Sequence, residues 1–178
     1  MEKDDWIFRT DGKLWSVPLL LLSPAVREVM NDAPGAGSGY EDVELAAWEN
    51  LNAFLAHVAR REIVGLDTMG VFALRHALEQ RHGDDVKGEF RASETTKLNA
   101  FVAAAGVWIV IMGEQLWARK GGKGEQQAAA GGAKDGISKE RWKSWVEKFQ
   151  FLSCRDDLKI DTRELAAQAA AIMMRVQT

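Results

Sequence analysis

Glu114 stands where a carboxylate could do chemistry, at the end of a long apolar run. The sixteen residues from Leu98 to Gly113 carry no charge, and the apolar spacing continues past Glu114. Because apolar surroundings disfavour the charged form of a carboxyl group, enzymes use carboxyl groups in such places as general acids or bases. We therefore take Glu114 as a candidate catalytic residue. In the alternative interpretation it reaches solvent and pairs with Arg119 or Lys120.

Two histidines are candidate proton carriers beside Glu114. His57 and His76 lie on predicted helices, but no Ser or Cys occurs at a spacing that suggests a nucleophile for His57. Glu79 and His82 have the E-x-x-H spacing of di-iron carboxylate sites. Such sites need this motif twice, and the sequence has it once. The sequence therefore predicts no metal site and no cofactor.

Tryptophan is abundant, with seven residues, and the indoles on predicted helices allow two interpretations. Large aromatic side chains on inner helix faces usually fill a core, but several that converge can line a pocket for a flat apolar molecule. Apolar residues three or four positions from Glu114 share its face of the helix. The candidate ligand-binding residues are Trp108, Trp117, Trp142, Val107 and Ile111.

Composition and motifs argue against several classes of function. The chain lacks a Gly-rich phosphate loop, a dinucleotide fingerprint, a G-x-S-x-G motif and zinc-ligand spacing. Its formal net charge is −3 and its basic residues are scattered, so nucleic acid is not an expected partner. The single cysteine, Cys154, cannot form an internal disulfide, and the acidic N-terminus does not resemble a secretory signal. We therefore expect a cytoplasmic protein.

Apolar periodicity predicts helices through most of the chain. One helix runs from Tyr40 to about Glu62, with Val43, Phe54 and Leu55 on its apolar stripe. The helix predicted after Ser138 has Trp142, Trp145, Val146, Phe149 and Leu152 on one side. Further helix ends are indicated by capping or terminating residues, namely Ser23 with Pro24, Thr68, Gly83, Ser93 or Thr95, Ser138 and Thr162.

The long apolar run is predicted to be the centre of a helical bundle. A transmembrane helix needs about 20 apolar residues, whereas this run stops at sixteen and includes Asn99, Gly106 and Gly113. A helix that is apolar on nearly every side suits the centre of a bundle, where neighbours cover each face. We therefore expect no association with a membrane.

These elements predict an all-α fold, a compact bundle of five or six helices with an irregular N-terminal extension. We expect residues 1–39 to form an arm, a short helix and a linker, and residues 40–178 to form the helical domain. Within that domain, 121–136 is predicted to be a flexible loop because it is rich in Gly and Ala. No segment alternates with the period of two typical of strands, and none is bounded like a hairpin.

Five segments occur in order along the chain: WENLNAFLAHV, FALRHALE, AAGVWIVIMG, ERWKSWVEKF and TRELAAQAAAIMM. Together, over roughly residues 40–174, they resemble a family of small intracellular proteins from filamentous fungi that has a domain of unknown function. The spaced pair Trp142 and Trp145, followed by Phe149, is the most specific part of the likeness. The resemblance implies a fungal origin and an all-helical fold, and it supplies no known activity and no catalytic residues. Filamentous fungi often encode small proteins of this kind beside the pathways of secondary metabolism, so the resemblance also associates the chain with secondary metabolism.

Two hypotheses about function remain open. The first is a non-catalytic helical binding or interaction protein, with a filled core or an apolar groove that takes a partner helix or a second copy of the chain. The alternative is a cofactor-free enzyme of the cyclase or isomerase type, or a carrier, for an apolar metabolite. In that alternative Glu114 is the acid or base, and His57 or His76 is a second proton carrier. A cavity that reaches Glu114 would favour the alternative, whereas a solvent-exposed Glu114 would argue against it.

Overall fold

Residues 7–10, 13–63, 65–85, 90–119 and 136–177 are described by the structure, a computed structural model. In these ranges the chain forms six helices and one two-stranded antiparallel hairpin. The elements are β1 (Ile7–Thr10), β2 (Lys13–Ser16), α1 (Val17–Met30), α2 (Asp42–Arg60), α3 (Asp67–Glu79), α4 (Glu94–Ala118), α5 (Lys139–Ser153) and α6 (Ile160–Arg175). The predicted all-α class is confirmed. The loop predicted at 121–136 lies outside the described residues except for its last position.

Helix α4 lies at the centre of the bundle and packs against α2, α3 and α6. Sixteen of its residues are buried, as its uniform apolarity predicted. A Cβ atom added to Gly106 would lie 3.3 Å from the Cβ atom of Leu165, which shows how closely α6 approaches. By length and composition α4 is, among the described residues, the one helix that could cross a membrane, but 72% of its apolar window is buried inside the protein. It is therefore a core helix.

Helix α5 confirms the aromatic face that the sequence predicted. It packs on α6, and the indole N–H of Trp142 donates a hydrogen bond to the backbone carbonyl oxygen of Met173 at 3.1 Å. This bond offsets the cost of removing the indole nitrogen from water. The buried residues of α5 are Trp142, Trp145, Val146, Phe149 and Leu152.

Two of the predicted N-caps are confirmed. The hydroxyl oxygen of Ser93 accepts a hydrogen bond from the backbone N–H of Thr96 at 3.1 Å. The hydroxyl oxygen of Ser138 accepts one from the backbone N–H of Arg141, also at 3.1 Å. Each bond satisfies an N–H group that the first turn of a helix leaves without an intrahelical partner.

Three other predicted helix ends are wrong. Thr68 and Thr162 do not cap α3 and α6, because each helix begins before its threonine. A buried leucine lies at or next to each N-cap: Leu66 is the N-cap of α3, and Leu158 precedes Lys159, the N-cap of α6. Tertiary packing of these leucines therefore fixes where each helix begins. Helix α3 also ends before Gly83, which follows it in an irregular segment.

The N-terminal region is more regular than predicted. Helix α1 begins before Ser23, so Pro24 lies inside the helix rather than at its first position. Pro18 is the second residue of α1, where a missing N–H removes no helical hydrogen bond. Ahead of it, β1 and β2 form a hairpin that pairs Ile7 with Ser16. The expectation of no hairpin is therefore wrong; the Asp-Gly sequence between the strands is itself a strong hairpin signal.

The apolar stripe predicted for α2 is only partly correct. Leu55 is buried, but Val43 and Phe54 are 71% and 55% exposed. The buried face of α2 instead includes Trp48 and Asn52. Because this face packs against α4, it brings an indole and an amide to the side of the bundle that contains the candidate site.

Candidate functional site

The structure places Glu114 at the surface. Its side chain is 73% exposed, and Oε1 lies 3.4 Å from the guanidinium group of Arg175 on α6. Of the two interpretations, apolar surroundings for this carboxylate are therefore wrong and contact with solvent is confirmed, because Glu114 lies on the outer side of α4. Arg119, which the sequence offered as its partner, pairs instead with Asp67 on α3. His57 is also exposed, and a catalytic role for it or for Glu114 stays a prediction.

The three candidate indoles do not share one wall. Trp108 is fully buried, and its indole N–H donates a hydrogen bond to Oδ1 of Asn52 at 2.9 Å. Nine residues separate Trp108 from Trp117, which places them on opposite sides of α4 at about 100° per residue. Trp117 packs on the buried Trp142, with ring centroids 5.2 Å apart. Of the two aliphatic candidates on α4, Val107 is buried and Ile111 is half-buried.

A cavity of about 400 Å³ lies between the end of α1, α2, α3 and α4. Its walls are mainly apolar and aromatic, and its polar groups come mostly from one side of α3. Cavities of this size, with few polar groups, are typical of small-molecule sites. The apolar wall includes Met30, Trp48, Met69, Phe72 and Phe101.

His76 is the predicted site residue that the structure does place in this cavity wall. Its ring packs edge-on against Phe101, with centroids 4.1 Å apart, and His82 stacks on the same phenyl ring. Burial, and secondly the neighbouring His82, lower the pKa of His76 from 6.5 to about 4. At neutral pH the ring is therefore uncharged and offers one N–H donor and one nitrogen acceptor. Among the described residues, neither ring nitrogen of His76 has a hydrogen-bond partner.

Trp48 contributes a second unpaired polar group near the cavity. The residue is 8% exposed, and its backbone carbonyl oxygen accepts a hydrogen bond from Nδ2 of Asn52 at 2.9 Å. Its indole N–H is buried and, within the described part of the chain, has no hydrogen-bond partner. Buried N–H groups are nearly always paired, so this one calls for an acceptor such as a water or a ligand oxygen.

Glu79 closes the polar end of the cavity. Its Oε1 atom lies 2.8 Å from Nε of Arg141 and accepts a hydrogen bond from the indole N–H of Trp145 at 3.0 Å. Its Oε2 atom lies 3.6 Å from Nε of Arg75. The carboxylate is thus already shared by two guanidinium groups and an indole. Its contacts therefore connect α3 to α5, and we do not assign it a role in ligand binding.

The E-x-x-H pair that suggested a metal half-site is occupied by other contacts. Glu79 has the partners just described, and Nε2 of His82 lies 2.9 Å from the backbone carbonyl oxygen of His76. No group of three His, Cys, Asp or Glu side chains suited to a metal ion occurs among the described residues. The pair therefore has a structural explanation at the end of α3.

Trp48, Asn52 and Phe101 were not nominated from the sequence. One signal for the first two was present: a tryptophan and an asparagine four residues apart interrupt an otherwise apolar face of α2. No comparable signal marks Phe101, which lies in a run where every neighbour is apolar. Its role depends on which side of α4 faces α3, and this is set by tertiary packing.

The family model described as "Protein of unknown function (DUF3632)" matches residues 2–149. The chain belongs to this family. The match begins well before residue 40, so the N-terminal hairpin and α1 are part of the family sequence, which the resemblance over 40–174 did not include. It spans every element that lines the cavity and leaves α6 outside. No functionally curated protein and no solved structure matches the chain.

Proposed function

We propose that this protein is a non-catalytic helical binding protein, and that its ligand is an apolar small molecule held between α2, α3 and α4. The observation that carries the proposal is the cavity of about 400 Å³ with aromatic walls. Phe72 and Phe101 offer flat apolar surface, and the two methionines in the wall can adapt to the shape of a ligand.

The polar groups of the cavity favour binding over catalysis. A histidine that activates a protein nucleophile normally has both that nucleophile and an orienting group within hydrogen-bond distance. Among the described residues, His76 has neither a carboxylate nor a hydroxyl or thiol group bonded to its ring. The cyclase or isomerase alternative relied on Glu114, whose carboxylate lies in solvent and outside the cavity wall. A cytoplasmic location, in keeping with the exposed thiol of Cys154, belongs to the same proposal.

A titration with naphthalene tests the proposal. Naphthalene is flat, uncharged and small enough for the cavity, and the backbone amides of labelled protein can report where it binds. We expect its largest NMR shift changes at residues of α3 and α4 that line the cavity, such as Ala73 and Phe101. Shift changes confined to other surfaces, or none at saturation, would overturn the proposal.

A cavity-filling variant makes the test specific. Ala73 lies in the cavity wall on α3, so Ala73→Phe places a ring in the space that the ligand would occupy. We expect this variant to lose at least tenfold in affinity for naphthalene. The matched control is Ala167→Phe, because Ala167 is an exposed alanine on α6 away from the cavity. If both variants bind as the wild type does, the ligand site lies elsewhere.

A further inference from the structure

We propose that the ligand is an uncharged planar molecule with a hydroxyl group, and that His76 holds this hydroxyl by a hydrogen bond at the cavity wall. This inference rests on the proposed function and adds the chemical class of the ligand. It depends on the position of His76 beside Phe101 and on the partners that its ring lacks.

The ring of His76 is fixed in place but is not saturated with hydrogen bonds. Phe101 packs against it edge-on, and His82 lies nearly perpendicular to it with centroids 5.5 Å apart. These contacts hold the imidazole in the wall of an apolar cavity, where its ring nitrogens stay within reach of water. A ligand that supplies a hydrogen-bond partner replaces this water, whereas a purely apolar ligand displaces it and leaves the ring nitrogens unpaired at a cost in free energy.

A hydroxyl group suits a neutral imidazole better than a charged group does. It can donate to the bare ring nitrogen or accept from the ring N–H, so it fits either tautomer. An ammonium group can only donate and would bring a charge against the apolar wall. A carboxylate can only accept, so it fits only the tautomer that presents the ring N–H to the cavity, and its charge would have to leave water for a mainly apolar wall.

The buried indole N–H of Trp48 points to the same ligand chemistry. It is a donor only, so whatever reaches it must carry an acceptor such as an oxygen atom. The indole nitrogen is enclosed by protein, so a ligand oxygen can reach it only after nearby side chains move. Met30 and Met69 line the same cavity and have the flexible side chains that such a movement requires.

Calorimetric titration with four probes of one ring system tests the inference. The probes are naphthalene, 2-naphthol, 2-naphthoate and 2-naphthylmethylammonium, all at pH 7. We expect 2-naphthol to bind about threefold to tenfold more tightly than naphthalene, the gain of one net hydrogen bond. The two charged probes should bind more weakly than naphthalene.

The His76→Phe variant isolates the contribution of the imidazole. It keeps a flat ring against Phe101 and removes both nitrogens, so naphthalene and 2-naphthol should bind it equally well. His76→Gln keeps a donor and an acceptor and should retain part of the preference. In the wild type, the imidazole nitrogen signals of His76 should shift on addition of 2-naphthol and stay in place with naphthalene.

The outcomes separate this inference from the proposed function. If naphthalene binds as tightly as 2-naphthol in the wild type, the hydroxyl class is overturned while the apolar site stands. Tightest binding of 2-naphthoate would instead assign an acidic ligand. If none of the four probes binds, the proposed function fails together with the inference.

Discussion

At the scale of single residues, Asn52 makes two buried hydrogen bonds, one within α2 and one that joins α2 to the central helix. Its Nδ2 donates to the carbonyl oxygen of Trp48, and its Oδ1 accepts from the indole of Trp108, both at 2.9 Å. The amide is fully buried, so neither group could be satisfied by water if the bridge were lost. Asn52 therefore fixes the indole of Trp108 against α2, one turn from Trp48 beside the cavity.

We predict that Asn52→Leu lowers the free energy of unfolding by about 2–3 kcal/mol, because it leaves the indole N–H of Trp108 buried without an acceptor. Urea denaturation followed by tryptophan fluorescence measures this change. Asn50 is exposed on the same helix, and Asn50→Leu is expected to stay within about 0.5 kcal/mol of the wild type. Equal stability of the two variants would show that the amide bridge contributes nothing.

Glu114 and Glu79 are expected to respond differently to loss of charge. Glu114 forms one exposed ion pair with Arg175, so Glu114→Gln should change the free energy of unfolding by less than about 0.5 kcal/mol. Glu79 bonds to Arg141 and to the indole of Trp145, so Glu79→Gln should cost about 1–2 kcal/mol. Thermal and urea unfolding compare the two. Glu114→Gln should also leave naphthalene binding unchanged; a loss of binding would restore Glu114 as a site residue.

At the scale of elements, α3 and α4 approach closely where a glycine meets an indole. A Cβ atom added to Gly70 would lie 2.7 Å from Cε3 of Trp108, closer than real contacts allow. Because Trp108 is fully buried and hydrogen-bonded to Asn52, it has no space to withdraw. The glycine is therefore needed for the distance between the two helices that flank the cavity.

We predict that Gly70→Ala lowers the free energy of unfolding by about 1–2 kcal/mol. Overpacking of a core costs about 1–3 kcal/mol, and the better helix propensity of alanine returns at most about 1 kcal/mol. Gly83 has open space around its Cα atom, and Gly83→Ala should have almost no effect. Circular dichroism melts of both variants test this. A stabilised Gly70→Ala protein would mean that α3 can move away from α4 at no cost.

The elements also show how far the sequence could predict this fold. The burial of α4 was predictable from its uniform apolarity, and that of α5 from the spacing of Trp142, Trp145 and Phe149. The starts of α3 and α6 were not, because packing of Leu66 and Leu158 overrides the capping signals of nearby threonines. Local capping free energies of about 1 kcal/mol are smaller than the gain from burying a leucine, about 1.5–3 kcal/mol.

The candidate site was harder to predict than the elements that build it. Of its wall, only His76 was nominated, whereas the indoles proposed for a pocket proved to lie on two sides of α4. A cavity exists where helices fail to fill the space between them, and helical periodicity specifies faces but not the gaps between them. The exposure of Glu114 could not be predicted for the same reason, because neighbouring helices decide which faces of α4 are buried.

At the scale of the whole molecule, α4 is the helix around which the others build one continuous core. α2 and α3 lie against it around the cavity, and α6 lies against it with α5 on the other flank. The family model ends before α6. The carbonyl oxygen of Met173 in α6 nevertheless accepts the hydrogen bond from the indole N–H of Trp142 in α5. The folded unit of this chain therefore extends beyond the family match, to the end of α6.

Acidification is expected to act on the whole molecule through His76. Its pKa falls from 6.5 to about 4 on folding, chiefly because of burial and secondly because of His82. The pKa of His82 is lowered as well, mainly by burial, with Lys97 and Glu94 of α4 as its charged neighbours. Between these two pKa values of His76, the unfolded chain binds a proton that the folded protein does not. The free energy of unfolding must therefore fall as the pH falls from about 6.5 towards 4.

We predict that lowering the pH from 7 to 5 reduces the free energy of unfolding by about 1 kcal/mol through His76, after allowance for the partial exposure of its ring. Urea denaturation at both pH values measures the loss in the wild type and in His76→Gln, which has no imidazole to protonate and should lose correspondingly less. His57 is exposed on α2, so His57→Gln serves as the control and should follow the wild type. If His76→Gln also follows the wild type, the imidazole is not held uncharged by the fold, and the acid sensitivity of the protein arises elsewhere.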